Sequence, residues 1–335
     1  MDCARGTRAR AAPTAYYCGA LASTQAGMPP LDIIYGLHPV ATAIACGRRV
    51  VRASIALGDP TDARSALHSL LSPWLSSVSR AQRFPVIRAE RGHLDSLARN
   101  GVHQGLVGEF EVLPALPELP FGLAPSDFPC AAAAAPAAAA PAAADPPPLP
   151  PRPPPLLVTF DNVTDPQNFG AVLRSALLLG ADGIVLARSG GPPLNATVAK
   201  ASAGALDVWR AHGRLYACSG GFPTWLQGAA AAGWRVLGAS APAARGAGAA
   251  TSAAPLPFAT LARAEPTILV LGAEGAGLRS SVLAACTHTV CIALHTGMVQ
   301  AVAARAPLPP PMGLPDSLNV SVAAALLLAK LQPQQ

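Results

Sequence analysis

Asn162-Val-Thr-Asp-Pro-Gln-Asn-Phe-Gly-Ala-Val-Leu-Arg174 follows, after a single aspartate, the apolar run Leu156-Leu-Val-Thr-Phe160. The run is short and apolar throughout, so it reads as a buried strand. The stretch after it then spans the passage from strand to helix. Five chemically demanding positions crowd into it: Asn162, Asp165, Asn168, Gly170 and Arg174. A core would have to satisfy each of those polar groups at a cost, so their density points to a site. Gly170 lets the backbone come close to whatever lies opposite. Downstream the strand-then-helix pattern repeats. Strands are expected at Leu156–Phe160, Gly183–Leu186, Trp234–Ala239, Thr267–Leu271 and Thr289–Ala293. Helices are expected at Gly170–Leu179, Val198–Ala205, Pro223–Ala231, Arg279–Ala285 and Val320–Leu331, with a loop over 240–258. This alternation predicts an α/β domain over 156–335, with a parallel sheet covered on both faces.

A second stretch, Ile268-Leu-Val-Leu-Gly-Ala-Glu-Gly-Ala-Gly-Leu278, places Gly272, Gly275 and Gly277 directly after a strand. Glycines there let a ligand touch main-chain amides and carbonyls. A nicotinamide dinucleotide is disfavoured: the order is G-x-x-G-x-G, and 288–300 holds no acid for a ribose. A third stretch is Asp316-Ser-Leu-Asn-Val-Ser-Val-Ala323.

Taken in order, these three stretches resemble the signature motifs of the SpoU-type ribose methyltransferases of the SPOUT superfamily. The resemblance implies a C-terminal trefoil knot, which periodicity could not suggest. It implies S-adenosylmethionine as methyl donor and a ribose 2′-hydroxyl of RNA as acceptor. By position, Gly272, Ile292 and Leu318 would line the adenosine, with Leu271, Gly275 and Leu294 beside them. Arg174, Asn168, Glu274, Ser317 and Asn319 would form the catalytic set. A guanidinium stays protonated, so Arg174 suits binding a phosphate and stabilising a developing alkoxide rather than acting as a literal base. Outside the motifs, Arg174 would read as a solvated helix residue and Glu274 as an acid favoured by a helix dipole. Asn162, Arg48, Arg49 and Lys200 are the RNA-contact candidates, with Arg52, Arg188, Arg210 and Arg214 as further cations and Ser202 near the active face. The layout is most similar to enzymes acting on guanosine of large-subunit ribosomal RNA, including a mitochondrial counterpart. Transfer RNA is the nearest alternative substrate, and a non-catalytic RNA-binding protein on the same fold is the alternative class. Family members act as homodimers, so a homodimer is expected.

Residues 31–113 read as a smaller α/β unit, similar to the ribosomal-protein-like RNA-binding domain that precedes the catalytic domain in this family. A helix opens at His38-Pro39, Val51 to Leu57 alternate as a strand, a helix covers 62–76, and strands follow at Phe84–Arg88 and Leu106–Val112 around a short helix near Leu94–Ala98. His38 and His103 read as a cap and a turn. Alanine and proline dominate 114–155, a linker without its own core. Residues 1–30, with Arg5, Arg8, Arg10 and one acid, resemble a transit peptide for mitochondrion or chloroplast, or form an alanine-rich disordered start. The net charge of +6 suits a polyanionic partner. Seven cysteines form no paired framework, and Cys286, His288 and Cys291 make a weak metal pattern, so no metal is expected. No apolar run reaches membrane-spanning length, so no membrane partner is expected. One departure from the family stands out. Between Leu294 and Asp316 this chain has 21 residues, His295 to Pro315, where a few are usual, and Ala293 replaces a proline.

Overall fold

The structure is a computed structural model that describes residues 30–57, 65–129, 153–188, 191, 194–240, 253–295, 297–305 and 317–333. The expected transit segment and most of the long insert lie outside these residues.

The first unit runs β1 (Leu31–Tyr35), α1 (Leu37–Ala45), β2 (Val50–Ala56), α2 (Ser65–Gln82), β3 (Val86–Ala89), α3 (Arg91–Leu97) and β4 (Leu106–Glu111). Its sheet has the order β1-β4-β2-β3, with β4 antiparallel to both neighbours. Ile34, Val40, Ile44 and Phe110 form its buried centre. Strand β1 was not anticipated. His38 is exposed in the first turn of α1, and His103 is buried. The Gly105 amide donates to His103 Nδ1 at 2.8 Å, so Nε2 carries the proton and donates to Asp95 at 2.9 Å. His103 is therefore structural, as the sequence suggests, whereas Gly36 rather than His38 is the N-cap of α1, which has no side-chain cap bond.

The second unit continues with β5 (Glu118–Leu119), β6 (Leu156–Asp161), α4 (Pro166–Leu178), β7 (Gly183–Leu186), α5 (Ala196–Ala201), α6 (Ala205–Ala211), β8 (Leu215–Cys218), α7 (Phe222–Ala231) and β9 (Arg235–Ala239). It ends with β10 (Ala254–Pro257), β11 (Thr267–Gly272), α8 (Ser280–Leu283), β12 (His288–Cys291), α9 (Gly297–Arg305) and α10 (Val320–Lys330). All eight strands pair in parallel, in the order β10-β12-β9-β11-β6-β7-β8-β5. The central strands β6, β11 and β7 are buried along nearly their whole length, as continuous apolar runs require.

Several details differ from the expected elements. Helix α4 starts at Pro166 rather than Gly170, because Asp165 caps it by accepting the Asn168 amide at 2.9 Å and proline suits the first helical position. The helix expected over Val198–Ala205 is two helices. Gly204 sits between them at φ 90°, where a Cβ would lie 2.5 Å from Thr42 of α1, so close packing fixes the break. Strand β8 was not anticipated, and β10 lies within the expected loop 240–258. Finally, residues 114–129 are not free chain. Strand β5 extends the large sheet, and Leu116, Leu119 and Phe128 are buried. Prolines lack a donor but keep a carbonyl. The Pro114, Pro117 and Pro120 carbonyls accept from Arg210, the Ala217 amide and the Trp225 indole.

The two units meet where α1 and β1 pack on α5 and α6. Arg48, expected to touch RNA, is a correction: it is only 8% exposed. Its guanidinium bonds Asp32 at 2.7 Å, Asp207 of α6 at 3.1 Å and the Glu111 carbonyl at 3.2 Å, over the Phe110 ring. Burial pushes the Asp207 carboxyl up while Arg48 opposes the shift. A charge consumed this way cannot reach a phosphate. Arg48→Ala leaves two carboxylates without their cation in a buried junction. It is expected to cost about 3–5 kcal/mol, read as a lower midpoint in urea unfolding.

Candidate active site

Three side chains that the sequence separates widely meet at the C-terminal ends of the central strands. Asn168 stands in the first turn of α4, Glu274 in the loop after β11, and Asn319 at the N-cap of α10. Glu274 Oε1 accepts from Asn168 Nδ2 at 2.8 Å, from Asn319 Nδ2 at 2.6 Å and from the Val320 amide at 3.4 Å. Asn319 Nδ2 also donates to Asn168 Oδ1 at 2.9 Å. Asn319 holds its place because its own Oδ1 accepts the Ser321 amide at 2.8 Å, capping α10. One carboxylate thus ties together one residue from each of the three motifs, with the two amides oriented by the bonds they make.

Arg174 lies farther along α4 on its exposed side. It makes no hydrogen bond or ion pair with the described residues, so its charge stays available for an anion. Helix α4 is held on its other face. Phe169 packs edge-to-face on Phe160 at 4.8 Å, and the Trp209 indole donates to the Leu173 carbonyl at 2.9 Å. A Cβ on Gly170 would lie 2.5 Å from that of Ala201, so the glycine serves helix packing rather than ligand approach. Asn162 is exposed at φ 57° in the turn out of β6.

Beside Glu274 opens a cavity of about 370 Å³. Its walls include Leu271, Gly272, Gly275, Ile292, Leu294 and Leu318, the six positions that the family resemblance assigns to a cofactor, together with Ser317. Ala239 and Ser240 at the end of β9 also line it and were missed; their position directly after a buried strand was the available signal. The glycine loop folds back on itself: Ala273 and Gly277 exchange main-chain bonds at 3.1 and 2.9 Å, with Gly275 and Gly277 at positive φ. A Cβ on Gly272 would lie 2.5 Å from the Gly277 carbonyl carbon.

The long insert leaves the cavity rim after Leu294 and returns at Ser317, and both residues line the cavity. Its first part is α9, where Met298 is 85% exposed. The remaining RNA-contact candidates vary. Arg49 is exposed beside Glu111 at 3.2 Å. Lys200 donates to Gln104 across the junction between the units, and its partial burial lowers its pKa. Arg52 pairs with Glu109 at 2.5 and 2.7 Å, Arg188 with Glu118, and Arg214 with the Asp182 carbonyl at 2.9 Å. Ser202 is buried and bonds main-chain groups of α5 and α6, so it does not face a substrate. Cys286 is buried, donates to the Val282 carbonyl, and has its thiol pushed up to about 12 by burial. His288 bonds Thr287, and among the described residues no cluster of His, Cys, Asp or Glu could hold a metal.

Residues 155–302 match the SpoU rRNA Methylase family, and residues 33–114 match a family described as RNA 2'-O ribose methyltransferase substrate binding. The methylase match ends inside the insert, yet Asn319 beyond it joins the Glu274 cluster. The human protein named "rRNA methyltransferase 1, mitochondrial" is 30% identical over 310 residues, covering 91% of this chain and 73% of its own length. The protein of that name in Schizosaccharomyces pombe is 30% identical over 303 residues, covering 90% and 89%. An AdoMet-bound rRNA methyltransferase from Sinorhizobium meliloti superposes with a TM-score of 0.56 at 17% identity, covering 90% of this chain and 86% of that one. A SpoU methyltransferase from Streptomyces viridochromogenes in complex with AdoMet gives 0.55 at 21% identity, covering 90% and 88%.

Gly272→Ala is expected to push the loop out of place, because the new methyl meets main-chain atoms that cannot swing aside. Overpacking of this kind costs about 1–3 kcal/mol, and a thermal melt checks it.

Proposed function

Because the chain belongs to the SpoU rRNA methylase family, we propose that it transfers a methyl group from S-adenosylmethionine to a ribose 2′-hydroxyl of RNA. The observation that carries this reading is the cluster of Asn168, Glu274 and Asn319 on the lip of an apolar, glycine-edged cavity. A cavity of about 370 Å³ falls in the range of small-molecule sites. Leu271, Ile292 and Leu318 suit a flat neutral base, and Gly275, with open space where a side chain would stand, leaves main-chain groups on the cavity wall uncovered. S-adenosylmethionine supplies an electrophilic methyl on sulfur.

The residues of this chain have separate tasks in that reaction. Arg174 binds the phosphate next to the target ribose and stabilises negative charge as the hydroxyl loses its proton. Asn168 and Asn319, fixed by Glu274, orient the nucleotide so that its oxygen faces the methyl. Ser317 completes the rim beside the donor, and Asn162 and the exposed Arg49 contact RNA. The acceptor is a guanosine of large-subunit ribosomal RNA, and the protein works in the mitochondrion. Ribosomal RNA and the mitochondrion rest on relatives carrying "rRNA methyltransferase 1, mitochondrial" as their name, while the guanosine and the large subunit rest on the motif resemblance alone. A full catalytic set would be superfluous in a protein that only bound RNA.

The active form is a homodimer. Leu178 of α4 is 69% exposed, and Val322 and Leu326, one turn apart on the adjoining α10, are also exposed. Exposed leucine and valine on two packed helices suit a self-complementary contact that would bring the partner's motif-one region to each pocket.

Two measurements test these assignments. Arg174→Ala is expected to lower the rate of methyl transfer to RNA by about 10²–10³ while S-adenosylmethionine affinity is unchanged; full activity would remove the arginine from the mechanism. Leu326→Lys is expected to convert a dimer to a monomer in light scattering after size exclusion, and an unchanged mass would put the dimer contact elsewhere.

A further inference from the structure

The loop between β11 and α8 carries Glu274 and much of the cavity wall, and both of its ends are fastened to one residue. Its start, Gly272, pairs with Asp161 at the end of β6. Its finish, Arg279, is gripped by the Asp161 side chain. Oδ2 accepts the Arg279 main-chain amide at 2.8 Å, while Oδ1 accepts Nε at 2.7 Å and lies 2.7 Å from Nη2. The Asp161 side chain is 0% exposed, whereas that of Arg279 is 47% exposed. A fully buried carboxylate is costly unless donors surround it, so its presence here calls for a role.

We infer that Asp161 is a positioning residue for the donor pocket, closing the loop 272–279 through Arg279. The assignment deepens the methyltransferase reading and rests on it. The internal bonds of the loop are local: the Ala273–Gly277 pair, and the Ala276 amide to the Glu274 carbonyl at 2.9 Å. They shape the loop but do not locate it against the sheet. Asp161 supplies that location at both ends, by strand register at one and by its carboxylate at the other. Arg279 is also the N-cap of α8, so the same grip sets where that helix begins. Releasing it lets the wall formed by Gly272 to Leu278 move away from Ile292 and Leu318 across the cavity. It also loosens Glu274 against Asn168 and Asn319.

The test titrates S-adenosylmethionine into the full chain by calorimetry, alongside RNA binding and a thermal melt. Asp161→Asn removes the charge and keeps the shape. It is expected to raise the donor Kd by about tenfold or more, the worth of a charge-assisted bond, with RNA affinity unchanged. Arg279→Lys, which retains the main-chain amide and a cation, is expected to lie between wild type and Arg279→Ala. The double variant Asp161→Asn with Arg279→Ala is expected to be no weaker than the worse single change, as for two halves of one contact. A lower melting temperature with wild-type donor affinity would overturn the assignment and leave Asp161 a stability residue only. If Asp161→Asn does not fold, the half-exposed Arg279→Ala decides by the same criterion. Failure of the wild-type chain to bind the donor would instead remove the methyltransferase reading, and this assignment with it.

Discussion

A single carboxylate organises the end of the large sheet where the three motifs meet. Glu274 Oε1 receives both asparagine amides and the first main-chain N–H of α10, so three stretches of chain are held to one atom. Each stretch reaches that atom by a separate device. Asp165 and Pro166 start α4 so that Asn168 falls in its first turn. The tight glycine loop lifts Glu274 off the end of β11, and Asn319 caps α10. The cluster is assembled from helix starts and a strand exit, as is usual where parallel strands end and ligands bind.

The strands were legible from the residues, and the grouping of the motif positions from the family resemblance. Buried strands such as Leu156–Asp161 and Thr267–Gly272 are continuous apolar runs, and the motif positions follow them at once. The six positions that the family resemblance assigns to a cofactor fall on one cavity because they lie at or just after strand ends or at a helix entrance, where local order fixes geometry. What could not be read depends on tertiary partners. Arg48 looks like any cation in a basic stretch, and only the approach of Asp207, 159 residues away, buries it. The split between α5 and α6 is set by Thr42 pressing on Gly204. Strand β10 forms because β12 offers it an edge.

The insert after Leu294 shows how sequence continuity and spatial continuity can part. The family match stops within it at residue 302, while the third motif lies past it. Both ends of the insert sit on the cavity rim, so added chain there need not displace Asn319 from Glu274. Strand pairing and a helix cap locate the motif, not its distance along the chain.

The proline-carbonyl strap of residues 114–129 changes what the alanine- and proline-rich tract can be. Leu119 is already bonded into the large sheet, and so is Leu156. Residues 130–152 therefore join two points of one folded body instead of tethering one body to another. The true connection between the units is the short run from the end of β4 to the start of β5. Closing a loop grows costlier only with the logarithm of its length, about 0.6 kcal/mol per doubling. A tract so placed can lengthen or shrink over evolutionary time with little consequence for how the two units are oriented.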